Sequence, residues 1–355
     1  MNTSRPKGGR MPAEWETHER TWMAWPSGGY TLGDTEREAN EVRAAWAAVA
    51  NAIVPFEPVT MVVSPEAVAT ATSYLDERVN LLTAKLDDAW MRDMGPTFVR
   101  TAGRTVSAVN WVFNGWGSQD WASWTNDNRI AKKLAEATGV DVIESPLVNE
   151  GGGIHVNGAG TILLTETVQL DPGRNPDWAK KDVEAELKRT LGVQRFIWIP
   201  RGLTRDYDDF GTRGHIDIVA CFSDTNTILF HAQRNDEHPD YWLSSAVRRQ
   251  LREVAKSWQR LDADGTPIGE PLRIIAVPAP DVLRDDDGWV DYSYINHYVC
   301  NGAVIMCTFD DPNDAVARRI LKRAYPGRKI VGVDARTIFA RGGGIHCITQ
   351  QQPLP

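Results

Sequence analysis

The chain has 355 residues, of which 42% are hydrophobic and 24% are charged, and its formal net charge is −8 at pH 7. This composition is typical of a globular protein with a sizeable core, and no apolar run approaches the ~20 residues that span a bilayer. The negative charge also disfavours a nucleic-acid partner, because the phosphate backbone repels it. We therefore expect neither a membrane nor a nucleic acid among its partners.

The spacing of the cysteines and the composition of residues 1–10 bear on disulfides, zinc binding and secretion. Four cysteines occur and no two form a Cys-x-x-Cys pair, so we expect neither a disulfide framework nor a structural zinc site. Residues 1–10 are polar and basic and lack the apolar stretch of a secretory signal, which favours a cytoplasmic location.

Hydrophobic periodicity predicts helices and strands that alternate along the chain. The clearest apolar stripe predicts a helix at 35–54, and similar patterns predict helices at 126–138, 177–191, 241–261 and 311–324. Short runs rich in β-branched residues predict strands at 59–63, 162–165, 196–199, 227–230, 272–277, 304–308, 330–333 and 345–349. Several of these strands are separated only by short turns, so the pattern is mixed α/β in one domain of repeated units.

Two short sequences occur twice, which predicts that local structures recur. Gly-Gly-Gly-Ile-His stands at 151–155 and again at 342–346. Asn-Gly-Ala stands at 157–159 and at 301–303, each time before an apolar run. Only the second copy of the longer sequence is followed by a thiol, Cys347.

Polar residues cluster at 87–93, 149–153, 214–217 and 342–347. The segment 158–160 lacks the third glycine of a dinucleotide fingerprint, and the sequence has no phosphate-binding Gly-Lys-Ser/Thr loop. We therefore expect side chains rather than a cofactor to carry any chemistry.

Each clustered residue has a functional and a structural interpretation. Cys347 follows a glycine triplet and could present a nucleophile or be a buried structural thiol. His215 and Asp217 would share one face of a strand, as a base beside an acid or as a surface histidine with a carboxylate partner. Asp93 could be half of an ion pair or a cap, and Glu150 a turn residue. The remaining thiols lie in apolar runs and are predicted core residues, and the two triplet histidines are predicted to be structural: Cys221, Cys300, Cys307, His155 and His346.

Taken together, these clusters resemble the agmatine deiminase family, which is grouped with the Porphyromonas-type peptidylarginine deiminases in the guanidino-group-modifying pentein superfamily. The resemblance runs nearly end to end, from Met-Pro-Ala-Glu-Trp-Glu at 11–16 to Gly-Gly-Gly-Ile-His-Cys-Ile-Thr-Gln-Gln-Gln at 342–352. Residues 1–10 look like a flexible extension ahead of a single family domain at 11–355. The resemblance implies a five-bladed α/β propeller with pseudo-fivefold symmetry, a homodimer, and no metal or cofactor.

The family also implies roles for individual residues. Cys347 matches the nucleophile and His215 the general acid/base, while Asp93, Asp217 and Glu150 match acids that hold the guanidinium or orient the histidine. Trp90, Trp116 and Arg213 fall in substrate-binding segments. The implied reaction is hydrolysis of agmatine to N-carbamoylputrescine and ammonia, a step of putrescine and polyamine biosynthesis, through a covalent amidino-cysteine intermediate.

One departure bears on the substrate. Where the family typically reads Thr-Asn/Asp-Gly-His, this chain has Arg213 before Gly214. A cation facing the pocket would repel the distal ammonium of agmatine and favour a guanidino compound with a carboxylate tail; the alternative is that Arg213 points to solvent. A deiminase or an amidinotransferase for another guanidino compound is therefore the second hypothesis, and a non-catalytic binding module is the third.

Overall fold

The computed structural model describes residues 9–261 and 267–355. Residues 1–8 of the predicted extension lie outside the described residues. The backbone N–H of Arg10 donates a hydrogen bond to the backbone oxygen of Arg100 at 2.8 Å, and the N–H of Arg100 donates to the oxygen of Arg10 at 2.9 Å. The chain therefore contacts the body of the protein from Arg10 onward.

Helices and strands alternate along the described residues. The α-helices are α1 Glu36–Ile53, α2 Val68–Tyr74, α3 Met91–Met94, α4 Gly115–Ser118, α5 Ile130–Thr138, α6 Glu166–Gln169, α7 Lys180–Leu191, α8 Asp240–Lys256, α9 Asn313–Ala324 and α10 Arg336–Phe339. The strands are β1 His18–Ala24, β2 Val59–Val63, β3 Asn80–Thr83, β4 Thr97–Thr101, β5 Thr105–Val112, β6 Asp141–Val148, β7 Ile154–Val156, β8 Thr161–Thr165, β9 Arg195–Ile199, β10 Ala220–Asp224, β11 Thr227–Ala232, β12 Arg260–Leu261, β13 Pro267–Ile268, β14 Arg273–Pro278, β15 Arg284–Asp285, β16 Gly288–Trp289, β17 Tyr298–Cys300, β18 Ala303–Thr308, β19 Lys329–Asp334 and β20 Thr349–Pro353.

Five sheets repeat one plan within the described residues. Their strand orders are β20-β1-β2-β3, β4-β5-β6, β7-β8-β9, β10-β11-β14 and β17-β18-β19. In each, the first two strands are antiparallel and the next pair is parallel. A parallel pair needs a long crossover, and α1, α5, α7, α8 and α9 lie in these crossovers. Because β20 pairs with β1, the two ends of the chain meet in one sheet.

Helix α1 shows how sequence sets these elements. Thr35 caps it, since its hydroxyl accepts from the backbone N–H of Glu38 while the Glu38 carboxylate accepts from the backbone N–H of Thr35. Its apolar stripe, which includes Val42, Trp46 and Ile53, is fully buried in the core. The predicted helix at 35–54 is therefore confirmed.

The other predicted helices are confirmed apart from their ends. The predicted helix at 241–261 is too long, because α8 ends at Lys256 and β12 begins at Arg260. Trp258 has left the helix, and its indole N–H donates to Asn226 Oδ1 at 3.0 Å. A tertiary contact thus ends a helix that the apolar pattern would continue.

Seven of the eight predicted strands are confirmed within two residues, and the strand predicted at 345–349 is wrong. Ile345–Ile348 is a turn, and β20 begins at Thr349. Ile345 and Ile348 are fully buried, so this apolar run reflects burial of a turn rather than strand geometry. The first strands of several units, such as β4, β10 and β17, were not predicted.

The two repeated sequences have different outcomes. Asn157-Gly158-Ala159 and Asn301-Gly302-Ala303 both connect antiparallel strands, β7 to β8 and β17 to β18, and both glycines have positive φ. The glycine triplets both precede the first strand of a unit. However, Gly151–Gly153 is a 3-10 turn that enters β7 directly, whereas a further turn separates the second triplet from β20.

Across residues 9–261 and 267–355, no helix combines the length and apolar character required to cross a membrane.

Candidate active site

Five segments, each just before the first strand of a unit, supply the polar side chains of one site. They carry Asp93 before β4, Glu150 before β7, Asp217 before β10, Asn296 before β17 and Cys347 before β20. All five residues are at least nine-tenths buried. The common plan of the units thus brings residues from across the chain into contact.

Cys347 lies in the last of these turns with its thiol facing the other segments. Its Sγ is 3.3 Å from Asn296 Nδ2, 3.4 Å from the backbone N of Gly344 and 3.5 Å from Asp217 Oδ2. Burial raises the pKa of the thiol well above its usual value, and the carboxylates of Asp217 and Asp93 raise it further. In the absence of a cation the sulfur is therefore protonated.

His215 is held at the entrance of a 3-10 turn, Ile216–Ile218. The buried carboxylate of Asp206 fixes its loop by accepting backbone N–H groups of Thr212, Gly214 and His215 at 2.6, 2.7 and 3.1 Å. Several bonds to one carboxylate leave the loop little freedom, which orients the imidazole.

Glu150 lies behind the imidazole. Its Oε2 is 3.1 Å from His215 Nε2, and both of its oxygens accept from Arg174 Nε at 3.0 and 3.1 Å. Burial opposes ionisation, but the charges of Arg174 and His215 prevail and hold the pKa of Glu150 at about 2. The carboxylate of Glu150 is thus engaged by Arg174 and His215, and it orients the imidazole of His215.

The other nitrogen of His215 faces the acids. Nδ1 has no hydrogen-bond partner among the described residues and is 3.9 Å from Asp93 Oδ1. Burial lowers the pKa of His215, but Asp93, Glu150 and Asp217 together raise it to about 9. The imidazole is therefore protonated at neutral pH and can donate a proton from Nδ1.

Asp93 is placed by two donors. The backbone N–H of Gly152 donates to its Oδ1 at 3.1 Å and the indole N–H of Trp116 donates to its Oδ2 at 2.9 Å. Burial dominates and raises the pKa of Asp93 to about 6. A cation beside this carboxylate would favour its ionised form.

Asp217 accepts a hydrogen bond from a buried histidine, whereas its second oxygen has no partner among the described residues. His346 Nδ1 is 2.8 Å from Asp217 Oδ2, and Oδ1 is unpaired. Burial raises the pKa of Asp217, but the bond from His346 outweighs it and the net shift is downward. Asp217 is thus an ionised carboxylate with a free acceptor.

A small cavity of about 10 Å³ lies beside Asp93 and Cys347. Its lining consists of Trp90, Asp93, Trp116, Trp121, Phe210, Thr212, Gly342 and Cys347. A larger, open cavity of about 750 Å³ shares Phe210 and Gly342 with it. Phe210 stacks on Tyr30 with ring centroids 3.5 Å apart, so aromatic rings separate the inner cavity from the outer one. The outer lining is acidic, with Asp208, Asp209, Asp287 and Asp291.

Chemically, the site combines a thiol and a carboxylate, which line the inner cavity between flat aromatic walls, with an imidazolium and a second carboxylate next to them. This set matches a planar, many-donored cation, because carboxylates bind such a group at its edges while the thiol faces its central carbon.

Comparison with known proteins supports this interpretation of the site. Residues 10–353 match the model of the family described as Porphyromonas-type peptidyl-arginine deiminase. The chain belongs to this family. A Streptomyces coelicolor protein provisionally named an agmatine deiminase is 54% identical over 345 residues, which covers 97% of this chain and 98% of that protein. The agmatine deiminase of Stutzerimonas stutzeri is 38% identical to this chain, and the match covers 100% of this chain and 98% of that protein.

The solved structure of the agmatine deiminase of Enterococcus faecalis superposes with a TM-score of 0.88 at 31% identity, covering 100% of this chain and 99% of that one. The mixed α/β fold predicted for this family member is therefore confirmed.

The structure brings the predicted residues of this family member together with one exception. Cys347, Asp93, Trp90 and Trp116 line the inner cavity. Asp217 lies 3.5 Å from Cys347 Sγ and His215 lies 3.9 Å from Asp93 Oδ1, with Glu150 behind His215. Arg213 does not line it; its side chain is 40% exposed and its Nη1 is 3.6 Å from Asp171 Oδ2. This position gives no support to Arg213 as a cation that repels a substrate tail.

Sequence reasoning missed several residues of the site. Arg174, Asn296, Trp121 and Phe210 were not selected, and Glu14 was used only as part of the Met-Pro-Ala-Glu motif. Arg174 and Asn296 sit in ordinary-looking turns, so no local pattern marks them. Both are identified only by their contacts with Glu150 and Cys347.

Proposed function

We propose that this chain is a guanidine deiminase, a hydrolase that converts agmatine to N-carbamoylputrescine and ammonia. The observation that carries the proposal is one buried cluster, in which Cys347 and Asp93 line a cavity while Asp217 lies 3.5 Å from the Cys347 sulfur and His215 lies 3.9 Å from Asp93. Relatives that match over almost the whole chain are named agmatine deiminases, which supports agmatine as the substrate.

In the proposed complex, the guanidinium lies between Asp93 and Asp217. Asp217 offers its free Oδ1, and Asp93, with its pKa of about 6, ionises fully next to a cation. Trp90 and Trp116 form flat walls beside the planar group. This arrangement points the central carbon of the guanidinium at Cys347.

The bound cation also activates the thiol. The carboxylates of Asp217 and Asp93 contribute to the high pKa of Cys347, and a guanidinium placed between them cancels that contribution. The thiol then releases its proton to solvent as the substrate binds, because His215 is already protonated. The thiolate attacks the guanidinium carbon to give a neutral tetrahedral adduct.

His215 serves both halves of the reaction. Its imidazolium donates the Nδ1 proton to the departing nitrogen, so that ammonia leaves and an amidino group remains on Cys347. The neutral imidazole then takes a proton from water, which attacks the same carbon. The carbon–sulfur bond breaks, and the ureido product and the thiol are released. Glu150 and Arg174 keep the imidazole oriented throughout.

The proposal extends to the arrangement of the units. We infer that the five sheets form the blades of an α/β propeller with pseudo-fivefold symmetry and the site near its centre. Their common strand plan and the five site segments in equivalent positions support this arrangement. The homodimer, the cytoplasmic location and the single domain at 11–355 remain predictions.

An alternative is transfer of the amidino group to an amine instead of water, or action on a guanidino acid. The position of Arg213 beside Asp171 removes the argument that favoured a carboxylate tail. Agmatine hydrolysis is therefore preferred.

The test measures ammonia and product mass with agmatine, arginine and several guanidino acids. We expect agmatine to give ammonia and a ureido product without an added amine, and Cys347→Ala to lower kcat about 10⁴-fold or more. Cys300→Ala, a buried thiol in β17 away from the cavity, is the control and should keep its activity. Ammonia formed only when an amine acceptor is present, or full turnover by Cys347→Ala, would contradict the proposal.

A further inference from the structure

Asn296 is the member of the five-segment site that the mechanism above does not use. It precedes β17, in the position that Asp93, Glu150 and Asp217 hold before their own strands. Its side chain is fully buried. An uncharged amide thus stands where three of the other four units place acids.

The backbone of the last segment fixes the orientation of this amide. Asn296 Oδ1 accepts from the backbone N–H of His346 at 2.9 Å. The Nδ2 group lies 3.3 Å from the backbone oxygen of Asp217 and 3.3 Å from Cys347 Sγ. Oδ1 is 3.5 Å from the same sulfur, so the amide can accept from the thiol and donate to the thiolate. One N–H is used by a carbonyl and the other points at the sulfur.

A second N–H lies on the same sulfur. The backbone N of Gly344 is 3.4 Å from Cys347 Sγ, so a thiolate here would sit between two donors. Gly344 is required for this approach, because a Cβ at this position would lie 2.4 Å from Asn296 Oδ1.

The charge around the sulfur explains why an amide suits this position. Asp217 Oδ2 is already 3.5 Å from Sγ, and a further carboxylate at the position of Asn296 would oppose thiolate formation. A fixed amide donor does the opposite, because it stabilises negative charge without bringing any of its own.

We propose that Asn296 is a catalytic residue that stabilises the Cys347 thiolate by donating an Nδ2 hydrogen bond to it. The donor acts twice, when the thiolate forms and again when the carbon–sulfur bond breaks and negative charge returns to sulfur. This inference rests on the proposed function, in which Cys347 is the nucleophile.

The experiment compares wild type with Asn296→Ala and Asn296→Asp. Asn296→Asp keeps the size and the acceptor for the His346 N–H but removes the donor. Alkylation of substrate-free enzyme by iodoacetamide is followed against pH through the mass of the Cys347 peptide, alongside kcat for agmatine. Asn157→Ala, another buried turn asparagine placed before β8, is the matched control.

We expect the alkylation midpoint of Cys347 to move to higher pH in both variants, further in Asn296→Asp, and kcat to fall about 10²-fold. Asn157→Ala should leave both unchanged. An unchanged midpoint in a variant that unfolds cooperatively would overturn the inference even if kcat falls, because Asn296 would then only pack against the turn. Full turnover by Cys347→Ala would instead remove the proposed function itself, so the two failures are distinguishable.

Discussion

At the scale of single residues, the charges of Asp93 and His215 determine how the site responds to pH. The pKa of Asp93 is raised to about 6 and that of His215 to about 9. Below the first value Asp93 becomes protonated and loses its hold on a guanidinium. Above the second value His215 loses the proton that the leaving ammonia needs. We expect kcat/KM for agmatine to be bell-shaped, with limbs near these two values, because this ratio reports groups of the free enzyme.

A substitution of Trp116 should move only the acidic limb of the pH profile of kcat/KM. Its indole N–H bonds to Asp93 Oδ2 at 2.9 Å and favours the carboxylate. Trp116→Phe should therefore shift the acidic limb to higher pH and leave the alkaline limb in place. Trp25→Phe, a buried tryptophan whose Nε1 has no partner among the described residues, is the control. An acidic limb that stays in place in Trp116→Phe would assign it to another group.

Sequence identified most of these residues but not their partners. Cys347, His215 and the acids stand in motifs that can be matched along the chain, so the family resemblance located them. Arg174 and Asn296 could not be found in this way, because their roles depend on contacts with residues 24 and 51 positions away. His215 and Asp217 do not share the face of a strand; both side chains reach the site at the 3-10 turn Ile216–Ile218.

At the scale of elements, the turn Gly151–Gly153 controls the distance between two catalytic groups. A Cβ on Gly152 would lie 2.4 Å from His215 Nδ1 and 3.0 Å from Asp93 Oδ1. Gly152→Ala should displace the imidazole and lower kcat about 10²-fold or more while the protein stays folded, since a displacement of ~1 Å has an effect of this size. The measurement is kcat together with a thermal melt.

Gly28→Ala is the matched control, because no atom lies within 4 Å of a Cβ added there. Wild-type kcat in Gly152→Ala would show that the turn can relax and that the close approach is not needed. Both glycine triplets precede the first strand of a unit, although their local structures differ. Glycine is required in them because atoms of other segments leave no room for a Cβ, as at Gly152 and Gly344.

At the scale of the whole molecule, Glu14 links several units at one buried point. Its carboxylate is 2.8 Å from His346 Nε2, 3.5 Å from His155 Nε2 and 3.6 Å from Arg92 Nη1. Burial opposes its ionisation, but these three groups prevail and hold the pKa of Glu14 well below its usual value. The two triplet histidines, predicted to be structural, thus share one carboxylate, and His346 also bonds to Asp217.

Glu14→Gln should lower the free energy of unfolding by about 3–5 kcal/mol, because it leaves buried cationic partners without their counter-charge. Glu16→Gln, two residues along and only partly buried, should cost no more than about 1 kcal/mol. Urea unfolding at pH 7 measures both. Because the pKa of Glu14 is depressed on folding, the advantage of wild type over Glu14→Gln should be present at pH 7 and shrink as pH falls below about 4. Equal stability of the two variants would show that Glu14 is not a central link.

The sequence by itself determined the main helices, most strands and the candidate reacting groups. Helix and strand periodicity, capping residues such as Thr35 and the long family motifs are all local, so they can be read without a structure. Tertiary structure decided what depends on contacts between distant segments. It ended α8 at Lys256, turned Ile345–Ile348 into the turn that presents Cys347, placed Arg213 beside Asp171 and brought Asn296 to the sulfur. The physical reason is that burial, charge and hydrogen-bond partners are properties of the assembled site, and its five segments lie far apart along the chain.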